Sequence, residues 1–149
     1  MEVEGLEKLN AIGNLKKLRY LGIRGLSKLT ELPKNVNKLQ QLEVLDVRGC
    51  QNLTRVMSST VRNLRQLTHL DLTECYMLEH IGSEIISLSE LQVFKGFVFG
   101  IDAPRRKAFQ CRDWHACHLQ DLKVMKNLQK LSINVTTDAN VGKIDMGQL

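Results

Sequence analysis

Leu42-Glu-Val-Leu45-Asp-Val47-Arg-Gly-Cys50 decides the fold, because its apolar spacing returns along the whole chain. It is preceded by Leu18-x-x-Leu21-x-Ile23 and followed by Leu67-x-x-Leu70-x-Leu72 and Leu91-x-x-Phe94. The first leucines of these segments, at 18, 42, 67 and 91, are spaced 24, 25 and 24 residues apart. After a break the spacing returns as Leu128-x-x-Leu131-x-Ile133. A fixed period of this length implies one strand-plus-return unit per repeat. Such a unit cannot bury its apolar face alone and must stack on its neighbours.

Within each unit the leucine spacing has period two, which is a strand with alternate faces. Leu45 and Val47 therefore point into the core, and Val44, Asp46 and Arg48 point out. The same rule gives Tyr20, Gly22 and Arg24 for the first repeat and His69, Asp71 and Thr73 for the third. The fourth row reads Val93, Lys95 and Phe97, and the last reads Lys130, Ser132 and Asn134. With neighbouring strands roughly 4.8 Å apart, these residues form ladders across one face of a parallel sheet.

The segments between strands also repeat. Leu29-Thr-Glu-Leu32-Pro33-Lys-Asn-Val36-Asn-Lys-Leu39 aligns with Leu78-Glu-His-Ile81-Gly-Ser-Glu-Ile85-Ile-Ser-Leu88. The middle copy, with Leu53, Val56, Val61 and Leu64, carries the extra residue of the longer period. Pro33 suits a return because it needs no strand hydrogen bond. Cys50 and Cys75 fill one slot in successive repeats, where a thiol packs as a small hydrophobe at the turn. The lattice predicts an α/β solenoid, a short right-handed leucine-rich-repeat horseshoe with a parallel concave sheet and irregular convex returns.

We expect one domain over 1–149: about five repeats, regular over 9–97, with an insertion at 98–118, a further repeat at 119–135 and a polar tail at 136–149. Ala-Pro-Arg-Arg-Lys at 103–107 is the basic, turn-forming centre of that insertion. Leu9, Ile12 and Leu15 read as the end of a preceding return, and no polar cap closes the other end. Solenoids need such caps, so the chain reads as a piece of a longer receptor or a truncated relative of one.

Composition agrees with this fold. Aromatic residues make up 5% of the chain, leaving the core to aliphatic ladders. No run of about 18 apolar residues suggests a membrane span. The acidic Met-Glu-Val-Glu-Gly start lacks the basic and apolar regions of a signal peptide, so we expect a cytosolic or nuclear protein. The net charge of +5 favours anionic partners, or simply reflects Lys and Arg filling exposed slots. The run Arg105, Arg106, Lys107 is too short to predict nucleic-acid or lipid binding.

The sequence resembles the leucine-rich-repeat region of plant intracellular nucleotide-binding disease resistance proteins of the coiled-coil class. Leu42 to Leu53 is similar to that family's Leu-x-x-Leu-x-Leu-x-x-Cys-x-x-Leu repeat, and Leu29 to Val36 to its Leu-Pro return. Leu88-Ser-Glu-Leu91-Gln-Val-Phe94, an irregular insertion, and Leu119 to Leu131 look like a late segment of the same region. Leu26 stands where the first repeat's Cys would be. No Gly-x-x-x-x-Gly-Lys-Ser/Thr phosphate loop is present, so the family's nucleotide switch does not carry over. The resemblance implies a region that senses a pathogen-linked protein, or restrains a nucleotide-binding module by packing on it.

Other chemistry is sparse. Cys111-x-x-x-His115-x-Cys117-His118 supplies four zinc-type ligands, but not in the paired spacing of common zinc modules. Asn52-Leu-Thr54 and Asn134-Val-Thr136 match a glycosylation sequon that a protein without a secretory signal would not use. No catalytic motif is present, and neither an enzyme nor a cofactor is expected.

The concave ladders are the candidate site: Tyr20, Arg24, Val44, Asp46, Arg48, His69, Asp71, Thr73, Lys95, Phe97 and Lys130. Their charges either satisfy one another diagonally or form a landing surface, with Tyr20, His69 and Phe97 as anchors. The partner would be a pathogen effector, a guarded host protein or the receptor's own nucleotide-binding module. The alternatives are a stand-alone assembly scaffold without an immune role, or a basic surface for anionic lipid or nucleic acid.

Overall fold

A computed structural model describes Leu9 and residues 11–56, 58–98 and 117–134, the side chains of Ser58 and His80 excepted. Five strands form one parallel sheet: β1 (Tyr20–Gly22), β2 (Val44–Asp46), β4 (His69–Asp71), β6 (Val93–Val98) and β7 (Lys130–Asn134), in that spatial order. The register follows the repeat. Tyr20, Val44, His69, Val93 and Lys130 lie side by side, as do Leu21, Leu45, Leu70, Phe94 and Leu131.

The lattice leucines make the core. Leu42, Leu45, Val47, Leu67, Leu70, Leu72, Leu91 and Phe94 are all fully buried, as are the return anchors Val36, Leu39, Val61, Leu64, Ile85 and Leu88. The returns on the convex side carry only short pieces of regular structure. Short 3-10 turns cover Lys34–Lys38, Ser83–Ser87 and Leu119–Val124, and helix α1 covers Ser58–Val61. A second parallel sheet pairs β3 (Arg55–Val56) with β5 (His80–Ile81), and Glu31 bridges to Arg55 beside it. An ion pair between the Glu31 and Arg55 side chains follows that bridge.

The expected insertion has its two edges in the lattice. Val98 still belongs to β6, and the Cys117 amide donates to the Ile81 carbonyl at 2.8 Å. Residues 99–116, which include the basic run at 105–107, lie outside the described residues, as does the tail beyond 134. No helix among the described residues is long and apolar enough to cross a membrane.

Three consecutive turns after the strands share a left-handed residue: Gly25 (φ 67°), Gly49 (φ 73°) and Glu74 (φ 63°). Glycine adopts this conformation without steric cost, and glutamate does not. A fourth positive φ, 78° at Gly96, falls inside β6 and shifts the register between Lys95 and Phe97. This glycine is the extra residue of a bulge.

Candidate functional site

The open face of the main sheet carries the residues read from the sequence as outward, and two depart from that reading. Phe97 is the clear correction. It is fully buried, not an anchor on the face. The bulge at Gly96 adds one residue to the strand, so the alternation reverses after Lys95 and Phe97 pairs with the inward Ile133. Its ring then packs edge-on against Phe94, with centroids 5.6 Å apart and planes at 80°. A glycine in the middle of the strand Val93–Val98, followed directly by two apolar residues, is the signal that could have given this away.

Asp46 is the second departure. It sits on the open face but is only 5% exposed, because two arginines close over it. Arg24 reaches its Oδ2 with Nε at 2.7 Å and Nη2 at 2.6 Å. Arg48 donates Nε to Oδ1 and Nη2 to Oδ2, both at 3.0 Å, and its amide also donates to Oδ1. Burial pushes the Asp46 carboxyl up, but the bonds from Arg48 and Arg24 outweigh it and hold the group below the usual carboxylate range. The Arg48 guanidinium is raised in turn by its bond to Asp46.

The chain of charges continues across the sheet. Asp71 lies 3.8 Å from Arg48 Nε and 3.4 Å from Lys95 Nζ. Its Oδ1 also accepts from the Thr73 amide at 3.0 Å and from the Thr73 hydroxyl. Of the two alternatives left open by the sequence, diagonal pairing is therefore present as geometry, and it leaves the cations outermost. The Arg24, Arg48 and Lys95 side chains are 54%, 44% and 37% exposed, against 8% for Asp46 and 16% for Asp71.

Beside this charged column stands a less polar one. Tyr20 and His69 are exposed, Val44 and Val93 half-buried, and Lys130 ends the row in the open. The Tyr20 hydroxyl accepts from Arg24 Nη2 at 2.6 Å. Gly22 makes room for this: a β-carbon there would meet the Tyr20 hydroxyl at 3.0 Å. Sequence reasoning placed Gly22 on the face without assigning it this role. His69 Nδ1 lies 2.8 Å from the Thr68 hydroxyl.

The cysteines do more than fill space. Cys50 Sγ donates to the Ile23 carbonyl at 3.1 Å, and Cys75 Sγ to the Val47 carbonyl at 3.3 Å, each bonding back to the preceding repeat. Leu26 cannot do this, and it is partly exposed in their slot. Asn52 plays a comparable part, donating to the Ser27 carbonyl at 2.5 Å.

The zinc-type cluster is not assembled by what is described. Cys111 and His115 lie outside the described residues, and Cys117 is buried in the core with its thiol pushed up to about 12 by burial. His118 instead begins the Leu119–Val124 turn, its amide donating to Asp121 Oδ2 at 2.8 Å. Among the described residues no group of three or more His, Cys, Asp or Glu is placed to hold a metal ion.

Over 143 residues the chain is 29% identical to Disease resistance RPP13-like protein 4 of Arabidopsis thaliana, covering 96% of this chain. It spans 15% of that relative's length. Two solved structures from Listeria monocytogenes, internalin C2 and an internalin named InlF, each match with a TM-score of 0.42 and 18% identity. They cover 79% and 86% of this chain and 53% and 42% of their own. The family model described as leucine-rich repeat region matches residues 2–146. With every repeat inside that match, the chain belongs to the leucine-rich repeat region family.

Proposed function

We propose that this chain is a protein-recognition module of plant defence, acting through the open face of its five-stranded sheet. The observation that carries the reading is an open face with two adjoining columns, Tyr20, His69 and Lys130 exposed in one and Arg24 and Arg48 exposed in the other. Aromatic and arginine side chains in such a setting are the types that dominate protein interfaces. The likeness to a disease resistance protein supplies the biological setting. The partner would be a pathogen effector, a guarded host protein or a nucleotide-binding module, met in the cytosol or nucleus. No catalytic role is assigned to any residue.

The test is affinity capture from plant cytosol with identification of bound proteins by mass spectrometry. The native chain is compared with a variant carrying Tyr20→Ala, His69→Ala and Lys130→Ala, all in one column of the face. Enrichment of a defence-related or nucleotide-binding protein, lost in the variant at unchanged melting temperature, is the expected result. Equal capture by both chains, or only chaperones in both, would overturn the reading.

A further inference from the structure

The charges of the open face are paired, yet the face is not neutral to what approaches it. Asp46 and Asp71 lie at its floor, covered by the side chains they bind. Arg24, Arg48 and Lys95 stand above them, three cations over two carboxylates, so a body arriving from solvent meets guanidinium and ammonium groups first. The carboxylates set the direction of those cations. Each arginine is held to Asp46 through Nε and Nη2, so part of its side-chain entropy is already lost before any partner binds.

The neighbouring column adds shape to this charge. Tyr20, Val44, His69 and Val93 run parallel to it across β1, β2, β4 and β6. Along each strand this column is two residues, roughly 7 Å, from Asp46, Asp71 and Lys95, and Arg24 and Arg48, two residues further on, bring their guanidinium groups back over Asp46. A segment lying between them in extended form sends alternate side chains to either side. Carboxylates would then face Arg24, Arg48 and Lys95, and apolar groups would face Val44 and Val93.

We propose that this face binds an acidic, extended segment of a partner protein, with Asp46 and Asp71 as positioning residues for the cations that receive its carboxylates. The inference rests on the recognition role proposed above and adds the chemistry of the partner. A protein segment fits better than a nucleic acid, because a phosphodiester backbone would satisfy the cations and leave the valine column uncovered.

Fluorescence anisotropy with labelled alternating peptides tests this, using about eight residues, since about five already span the roughly 14 Å across four strands and the rest overhang both edges. The Glu-Val peptide is expected to bind about tenfold more tightly than its Gln-Val counterpart, and the Lys-Val peptide not at all. Arg24→Gln with Arg48→Gln should remove the preference, and Lys123→Gln with Lys126→Gln, an equal charge change elsewhere, should not. Asp46→Asn raises the net charge by one and is nevertheless expected to weaken binding, because the arginines lose their anchor. Tighter binding by that variant, equal losses in both double variants, or tighter binding of oligothymidylate than of the Glu-Val peptide would each overturn the proposal. If a captured partner depends on Tyr20, His69 and Lys130 but the Glu-Val peptide neither binds nor competes, the acidic-segment inference fails while the recognition role stands.

Discussion

Gly96 lies so close to Leu72 that a β-carbon on it would stand 2.5 Å from both the carbonyl carbon and the carbonyl oxygen of that residue. Backbone cannot step aside as a side-chain tip can, and the positive φ of 78° adds strain of its own. The cost of the conformation alone is about 1–2 kcal/mol for a non-glycine residue. Gly96→Ala should therefore lose more than that, by urea denaturation, and should shift Phe97 toward solvent. A variant of native stability would mean that the bulge does not fix the inward turn of Phe97.

Glu74 is the reverse case. It holds φ 63° in the slot where the two preceding repeats have Gly25 and Gly49. Glu74→Gly relieves the left-handed strain but loosens the unfolded chain, so the expected gain is about 0.5–1 kcal/mol. Gly49→Ala should lose a similar amount, although its β-carbon would make only ordinary contact, 3.7 Å from Gly25. A pair of denaturation curves decides it, and a destabilised Glu74→Gly would show that the Glu74 side chain contributes more than its backbone costs.

The repeat and the register were legible because they depend on apolar side chains at fixed intervals. Leu21, Leu45, Leu70 and Leu131 align as their spacing required. What could not be read was anything set by one residue's backbone or by contact across repeats. The bulge at Gly96 inverted the reading for Phe97 because period-two counting assumes that no residue is inserted. The burial of Asp46 depends on Arg24, 22 residues away, a contact that no local pattern encodes. The small sheet of β3 and β5 escaped because two-residue strands leave almost no periodicity.

Thr60 offers a simple gain. It is 1% exposed in α1, and its hydroxyl has no hydrogen-bond partner. A buried, unsatisfied polar group costs about 1–3 kcal/mol, and valine has nearly the same shape. Thr60→Val should raise the melting temperature. Lowered stability would mean that the hydroxyl is satisfied in solution.

Asp46 should give the fold an acid-sensitive component. Its carboxyl is held below the unfolded value of 3.8, so the stability it contributes is present above that value and is lost as pH falls through the folded one. Asp46→Asn removes the linkage. The variant should be less stable than the native chain by about 1–2 kcal/mol at neutral pH, since both arginines can rehydrate. The difference should shrink below pH 3.8. Parallel denaturation midpoints from neutral pH downward check it, and a difference independent of pH would exclude charge as the cause.

The buried cysteines place a second limit at alkaline pH. Burial pushes the Cys75 thiol up from 9.0 to about 11, so the folded chain keeps a proton that the unfolded chain releases. Its contribution is fully present below 9.0 and is lost as pH rises toward about 11. Cys75→Ala should lower stability at neutral pH, because the thiol's bond to the Val47 carbonyl is lost, and should flatten the decline above pH 9.0. In a Cys111→Ser background, Cys50, Cys75 and Cys117, all free and buried, should also resist a thiol reagent until urea unfolds the chain. Rapid native labelling would mean that the strand-end turns open far more readily than their packing implies, because a protonated, enclosed thiol is a poor nucleophile.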